Sequence, residues 1–192
     1  MIINIPYGMV WSTSMSSEKS AKTIWLEQGL KILATQGPAA LCIENLTATT
    51  GKTKGSFYHH FGSREKYIEL LLEYHERTTI DEIIAFVRQE NNPGAQLKRL
   101  TKLSYQISSD LELVIRAWAL YDPMVRKFCD RVDKRRLEHV KNLHISSGLT
   151  ADEAEVLSYR DYSLFLGLQQ LRHHLNNTQL KRVLKGIYSG SL

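Results

Sequence analysis

The sequence predicts an all-α protein, and three observations carry that reading. Apolar residues recur at spacings of three and four from Ser17 almost to the C-terminus, the period of an amphipathic helix. Helix-starting and helix-stopping residues punctuate the pattern at Gly37-Pro38, Thr53, Ser63, Asp122-Pro123 and Thr150. No run alternates apolar with polar residues as a half-buried strand does. About nine helices are expected from these signals: three short ones in an N-terminal unit, then a longer helical body.

The elements follow in order. Residues 19–36 place Trp25, Leu26, Gly29, Leu30, Ile32 and Leu33 on one stripe, and Gly37-Pro38 ends that helix. A short apolar helix spans Ile43–Thr50 and stops at Gly51. Thr53 then caps a two-turn helix from Lys54, broken at Phe61-Gly62-Ser63. Ser63 caps a long helix, Arg64 to Gln89, and Asn91-Asn92-Pro93-Gly94 is the clearest break in the chain. Ala95–Ser108 forms the next helix. Leu111–Tyr121 is apolar nearly all round, which predicts a buried one. Asp122-Pro123 opens a charged helix to Ser146, and Thr150 with Glu153 has the capping-box form for a helix reaching His174. Asn176-Asn177-Thr178 caps the last, to Tyr188. Residues 1–17 contain no Lys or Arg, and Asn4, Pro6 and Gly8 interrupt them, so an extended arm is expected. Met15 opens a stretch with more of the character of a protein start.

Composition removes several functional classes. The 192 residues are 43% hydrophobic, enough for a core without metal or disulfide staples. No stretch of about 18 uncharged apolar residues occurs, so no membrane span is expected. Cys42 and Cys129 are read as reduced thiols of a cytoplasmic protein. The pairs His59-His60 and His173-His174 are adjacent, so their rings diverge on a helix and make no i,i+4 metal grip. No Gly-rich phosphate loop or nucleophile pattern occurs, so neither enzyme nor cofactor is expected.

The 25 Lys+Arg exceed the 20 Asp+Glu by five, and position matters more than the total. Lys52, Lys54, Arg64 and Lys66 stand against Glu65 alone between residues 52 and 66. The two helices joined by Gly51-Lys52-Thr53 have helix-turn-helix proportions. In the second, Phe57 and Phe61 share a side and can anchor it, which turns Lys54, Ser56, Tyr58 and His59 elsewhere. Such a face suits phosphates and base edges. The cations of residues 126–141 lie among acids and read as a solvated, salt-bridged face.

The run from Leu46 to Lys66 resembles the DNA-binding signature of TetR-type (TetR/AcrR) bacterial transcriptional regulators. Gly51, Lys54, Gly55, Phe57, Tyr58, His60, Phe61, Ser63 and Glu65 match its pattern, and Gly37 matches the end of its first helix. The clear resemblance covers residues 19–75, with a weaker one over Glu112–Arg136. It implies a head at 18–67 in which Thr53, Lys54, Gly55, Ser56, Tyr58, His59, His60 and Arg64 meet double-stranded operator DNA. Lys52 replaces an apolar residue of the turn, Thr50 an alanine, and Cys42 a capping Ser or Thr.

The resemblance further implies that residues 68–192 bind a small-molecule effector and form a homodimer. Tyr105, Trp118, Tyr121 and Phe165 are candidate walls of an effector pocket. Leu157, Leu164, Leu168 and Leu171, with Leu180, Val183, Leu184 and Ile187, are candidate dimer contacts, although such stripes also serve as monomer core. The function implied is a repressor released from a palindromic operator by its effector. A second reading stays open, motivated by Lys52 and Cys42: a helical ligand-binding or interaction protein whose head no longer reads DNA.

Overall fold

A computed structural model describes residues 20–104 and 110–189. The expected arm at 1–17 and Tyr105 lie outside these. Among the described residues the protein is all helical. The head contains α1 (Ala21–Gln36), a 3₁₀ turn at Pro38–Ala40, α2 (Ile43–Thr50), α3 (Lys54–Phe61) and α4 (Arg64–Glu76). α4 runs through a π turn at Arg77–Asp81 directly into α5 (Glu82–Val87). The body continues with α6 (Pro93–Ser104), α7 (Asp110–Trp118), α8 (Pro123–Ser146), α9 (Ala151–Leu171), a 3₁₀ turn at Arg172–His174 and α10 (Asn177–Ser189).

The helix starts are chemically satisfied where the sequence places capping residues. Thr53 accepts from the Ser56 amide, Ser63 from Lys66, and Asp122 from Met124 and Val125. Thr150 and Glu153 form a full capping box, and Asn176 and Gln179 exchange the same pair of bonds at α10. Cys42 makes no such side-chain bond at the start of α2. Gly51 closes α2 at φ 67°, a left-handed conformation that a β-carbon disfavours.

One apolar cluster spans head and body. Trp25, Leu30 and Leu33 of α1, Phe57 and Phe61 of α3, and Tyr67 and Leu71 of α4 join Leu111 and Ile115 of α7 and Val125, Phe128 and Val132 of α8. A smaller cluster pairs α9 with α10, where Leu168 and Leu180 are buried among Phe165, Val183, Leu184 and Ile187. α7 differs from expectation. Leu111, Ile115 and Ala119 face inward, while Leu120 and Tyr121 are 64% and 87% exposed. Leu120 and Tyr121 fall past the end of α7 in the turn before α8, while Glu112 and Arg116 give part of the helix's own surface to ion pairs, so it has one apolar face rather than an apolar circumference.

Those pairs build a polar network between helices. Arg136 of α8 donates to both Glu112 carboxylate oxygens at 3.0 Å. Arg116 donates to Glu112 at 2.8 Å, to both oxygens of Asp133 at 2.6 and 3.1 Å, and to the Tyr162 hydroxyl of α9 at 2.8 Å. Tyr162 in turn donates to Asp133 at 2.6 Å. Burial alone would raise the Glu112 pKa, but the Arg136 charge and hydrogen bonds, then Arg116, bring it down to about 2. The charged face at 126–141 is therefore less solvated than its composition implies. Its arginines reach across to other helices: Arg131 donates to Glu76 at 2.6 Å, and Arg135 bridges Glu76 and Asp81.

The π turn departs from the continuous α-helix expected over 64–89. Ile68, Leu72, Glu76, Ile80 and Ile84 recur every fourth residue and are all buried or packed against the core. Steps of four overshoot a 3.6-residue turn by roughly 40° each, so a pure α-helix would carry the later ones away from the core. A wider turn cancels that drift.

The closest approach in the head is between α1 and α4. A β-carbon on Gly29 would stand 1.9 Å from the Tyr67 hydroxyl, which donates to the Trp25 carbonyl at 3.0 Å. Gly29→Ala should therefore destabilise the protein by about 1–3 kcal/mol through overpacking. Gly29→Ala combined with Tyr67→Phe, which removes the clashing oxygen, should recover part of the loss. Urea unfolding of the four proteins checks this, and simple additivity would refute the contact.

Candidate nucleic-acid interface

α3 is eight residues long, too short to persist alone, and two phenylalanines hold it. Phe57 and Phe61 are buried, with ring centroids 5.5 and 6.5 Å from Trp25 and 5.2 and 4.9 Å from Tyr67. That anchoring presents Thr53, Lys54, Gly55, Tyr58 and His59 to solvent, with Ser56 and His60 half-buried. Tyr58 is 51% exposed and leans edge-on against Phe57 at 5.7 Å, which limits where its hydroxyl can reach. A β-carbon on Gly55 would meet only Thr53 Oγ1, at 3.8 Å, so the backbone there is open to a close partner.

The surrounding charges are arranged, not scattered. Lys54 Nζ lies 2.6 Å from Glu44 Oε1 in the first turn of α2. Their hydrogen bond holds the Glu44 carboxyl below and the Lys54 ammonium above the usual values. Lys66 pairs with Glu69 at 2.8 Å. Arg64 is half-buried and directs Nε back to the Leu41 carbonyl at 2.9 Å, tying the start of α4 to the residue before Cys42. α2 begins at Ile43 despite its missing cap, and Lys52 is half-buried in the turn.

With this geometry in place, comparison with known proteins identifies the head. Residues 26–71 match the family model for bacterial regulatory proteins, tetR family. The chain carries a tetR-family head. Solved structures extend the likeness to the fold of most of the chain. A transcriptional regulator of the TetR/AcrR family superposes with a TM-score of 0.73 at 19% identity, over 88% of this chain and 96% of that one. The reduced form of NemR from E. coli gives the same TM-score, identity and coverage. A transcriptional regulator from Saccharomonospora viridis, in complex with choline, gives a TM-score of 0.63 at 16% identity over 83% of this chain and 88% of that one. No curated protein matches the sequence. The protein thus has the all-α fold of a TetR-type transcriptional regulator, with the helix-turn-helix formed by α2 and α3.

The body's candidate residues are distributed differently. The described aromatics do not converge on one cavity: Trp118 packs against the main core, Tyr121 projects into solvent, and Phe165 stacks on Tyr162 at 6.0 Å in the α9–α10 region. A recess of about 370 Å³ lies instead between α7 and α9, lined by Glu112, Leu113, Arg116, Leu120, Leu166 and Gln169 among others. Of the candidate dimer residues, Leu168 and Leu180 are buried within the chain, Val183, Leu184 and Ile187 pack against them, Leu157 and Leu164 are half-buried, and Leu171 is 51% exposed. Val156 and Tyr159 add exposed apolar surface on α9, at 68% and 57%. Sequence reading missed Glu44 as the partner of Lys54, since ten positions and a turn separate them. It also missed the recess residues Glu112 and Arg116, whose i,i+4 spacing was the available signal. No helix among the described residues is long and apolar enough to cross a membrane.

His75 sits where head meets body. It is buried on α4, with Nδ1 3.1 Å from the Thr79 hydroxyl in the π turn. Burial is the main cause that pushes its pKa down to about 4; Glu112 opposes this, Arg136 reinforces it and Glu76 opposes it. The folded protein thus binds fewer protons than the unfolded chain between pH 6.5 and 4. His75's contribution to stability is complete above pH 6.5 and is lost as the pH falls through that window. Roughly 2 kcal/mol should go by pH 5 from this group. Urea midpoints from pH 7 to 5 should fall less steeply for His75→Leu than for wild type; parallel slopes would rule the effect out.

Proposed function

We propose that the protein is a cytoplasmic homodimeric repressor that binds a palindromic operator through α3 and leaves it when a small effector binds the body. The observation that carries this reading is the exposed Thr53–Lys54–Tyr58–His59 face, held rigid by Phe57 and Phe61 within a tetR-family head. Thr53, Lys54 and Ser56 at the start of α3 are the base-reading candidates, Gly55 admits close backbone approach, and Tyr58, His59, His60 and Arg64 are the phosphate contacts. Two-fold pairing of α9 and α10 would form a four-helix bundle and place two heads on two half-sites. Exposed Val156, Tyr159 and Leu171 support α9 as the outer surface, since α10 directs its apolar stripe inward.

The recess between α7 and α9 is the effector site that the geometry favours. It has apolar walls with Arg116 and Glu112 at one side, and the choline complex of one structural neighbour supports a small ligand in this fold. A ligand there reaches the head through Glu112, whose charge acts on His75 of α4, and through α7, which shares its core with α1. Switching requires the effector to bind the released state better than the DNA-bound one.

Fluorescence anisotropy with DNA from around the protein's own coding region tests the reading. Affinity should fall steeply with salt, by about 10³–10⁵ between 50 and 200 mM for a set of six to ten phosphate contacts. Lys54→Ala with Tyr58→Phe should weaken specific binding at least about tenfold, because the pair of substitutions removes one base-edge donor and one phosphate donor. Absent or salt-insensitive binding would reject the repressor, and unchanged affinity in the double variant would reject α3 as the reading helix.

A further inference from the structure

Lys54 and Glu44 belong to different helices, and the turn at Gly51 brings them into contact at the solvent-facing start of α3. Their side chains are 60% and 68% exposed while Nζ and Oε1 stand 2.6 Å apart. An exposed ion pair of this kind adds little to folding, so stability gives no reason for it. Phosphate binding gives none either, because a carboxylate beside Lys54 repels the backbone that Lys54 would attract. The pair does suit a base edge. In the major groove a G·C pair presents two acceptors, guanine O6 and N7, beside one donor, the cytosine N4 amino group. A lysine donates to the first two and a carboxylate accepts from the third. An ammonium and a carboxylate already in contact offer the complementary pattern side by side. On an A·T pair the adenine N6 donor lies between the two acceptors, N7 and thymine O4, so Lys54 meets one acceptor at a time where guanine offers it two adjacent ones.

We propose that Lys54 and Glu44 together read one G·C pair in each operator half-site, Lys54 donating to guanine O6 or N7 and Glu44 accepting from cytosine N4. Glu44 is then a specificity-determining residue on α2, outside the recognition helix. This rests on the DNA-reading function of the head and adds the identity of one base pair to it. The pair also acts against wrong sequences. Where the pair is reversed, Glu44 faces guanine O6 and N7 and Lys54 the cytosine amino group, which penalises binding rather than leaving it neutral.

Selection from a random-sequence duplex library, followed by affinity measurements on single-base variants of the selected site, tests the assignment. Wild type should select half-sites with one strongly preferred G·C pair. Glu44→Ala should reduce that preference by roughly 5- to 150-fold at that position alone, the range expected for one good base contact. Lys54→Ala should relax the same position. Both residues are exposed, so thermal midpoints should match wild type and separate impaired reading from impaired folding. Undiminished preference at every position in Glu44→Ala, or relaxation of different positions by the two variants, would overturn the assignment while leaving the DNA-binding head intact. A wild-type protein that selects no sequence would overturn the head's function itself, and this inference with it.

Discussion

The head depends on one contact, the seating of Tyr67 against Gly29. Because residue 29 carries no side chain, α4 approaches α1 closely enough for the phenol to reach the Trp25 carbonyl. Trp25 and Tyr67 then stand as two walls, and Phe57 and Phe61 pack between and against them. A two-turn helix gains its orientation from those two phenylalanines and has little stability of its own. The exposed face of α3 is therefore a by-product of what is buried behind it. Changes at Gly29 or Trp25 would reorient the exposed face of α3 without touching any residue on it.

Charge is used in two ways at opposite ends of α4. At the tip the ion pairs are exposed, and their groups remain available to a partner. At the joint with the body, Glu112, Arg116, Asp133, Arg136 and Tyr162 are drawn together out of water and satisfy one another almost completely. Removing one member of such a set leaves another charge stranded, so the set behaves as a unit. It also touches the recess between α7 and α9, which gives a bound molecule a direct electrostatic connection to α4.

Local chemistry was legible in the sequence. The boundaries of α2, α3 and α8, and the caps at Thr53, Ser63, Asp122 and Thr150, depend on neighbours within a few positions, and they stand where turn and cap residues place them. The exposed side of α3 was legible for the same reason, since Phe57 and Phe61 fix its rotation. What escaped is set by distance along the chain. Whether Tyr121 faces a pocket or solvent depends on where α8 begins its turn, and the partners of Arg131 and Arg136 lie 55 and 24 residues away. The 3.6-residue template also treated 64–89 as uniform, although a sustained four-residue spacing through Ile68, Leu72, Glu76, Ile80 and Ile84 signals a wider turn.

That wider turn bears on how the protein can be recombined. A π turn amounts to one extra residue in an α-helix. Without it, every side chain beyond Asp81 would swing by roughly 100° about the helix axis. The faces by which α4 and α5 meet the rest of the molecule are thus held in phase by a single residue's worth of chain. A chimera that grafts this head onto another body must carry segment 77–81 whole, or join beyond it. A splice inside it can preserve every contact of the parent helices and still present the wrong side of one to the other.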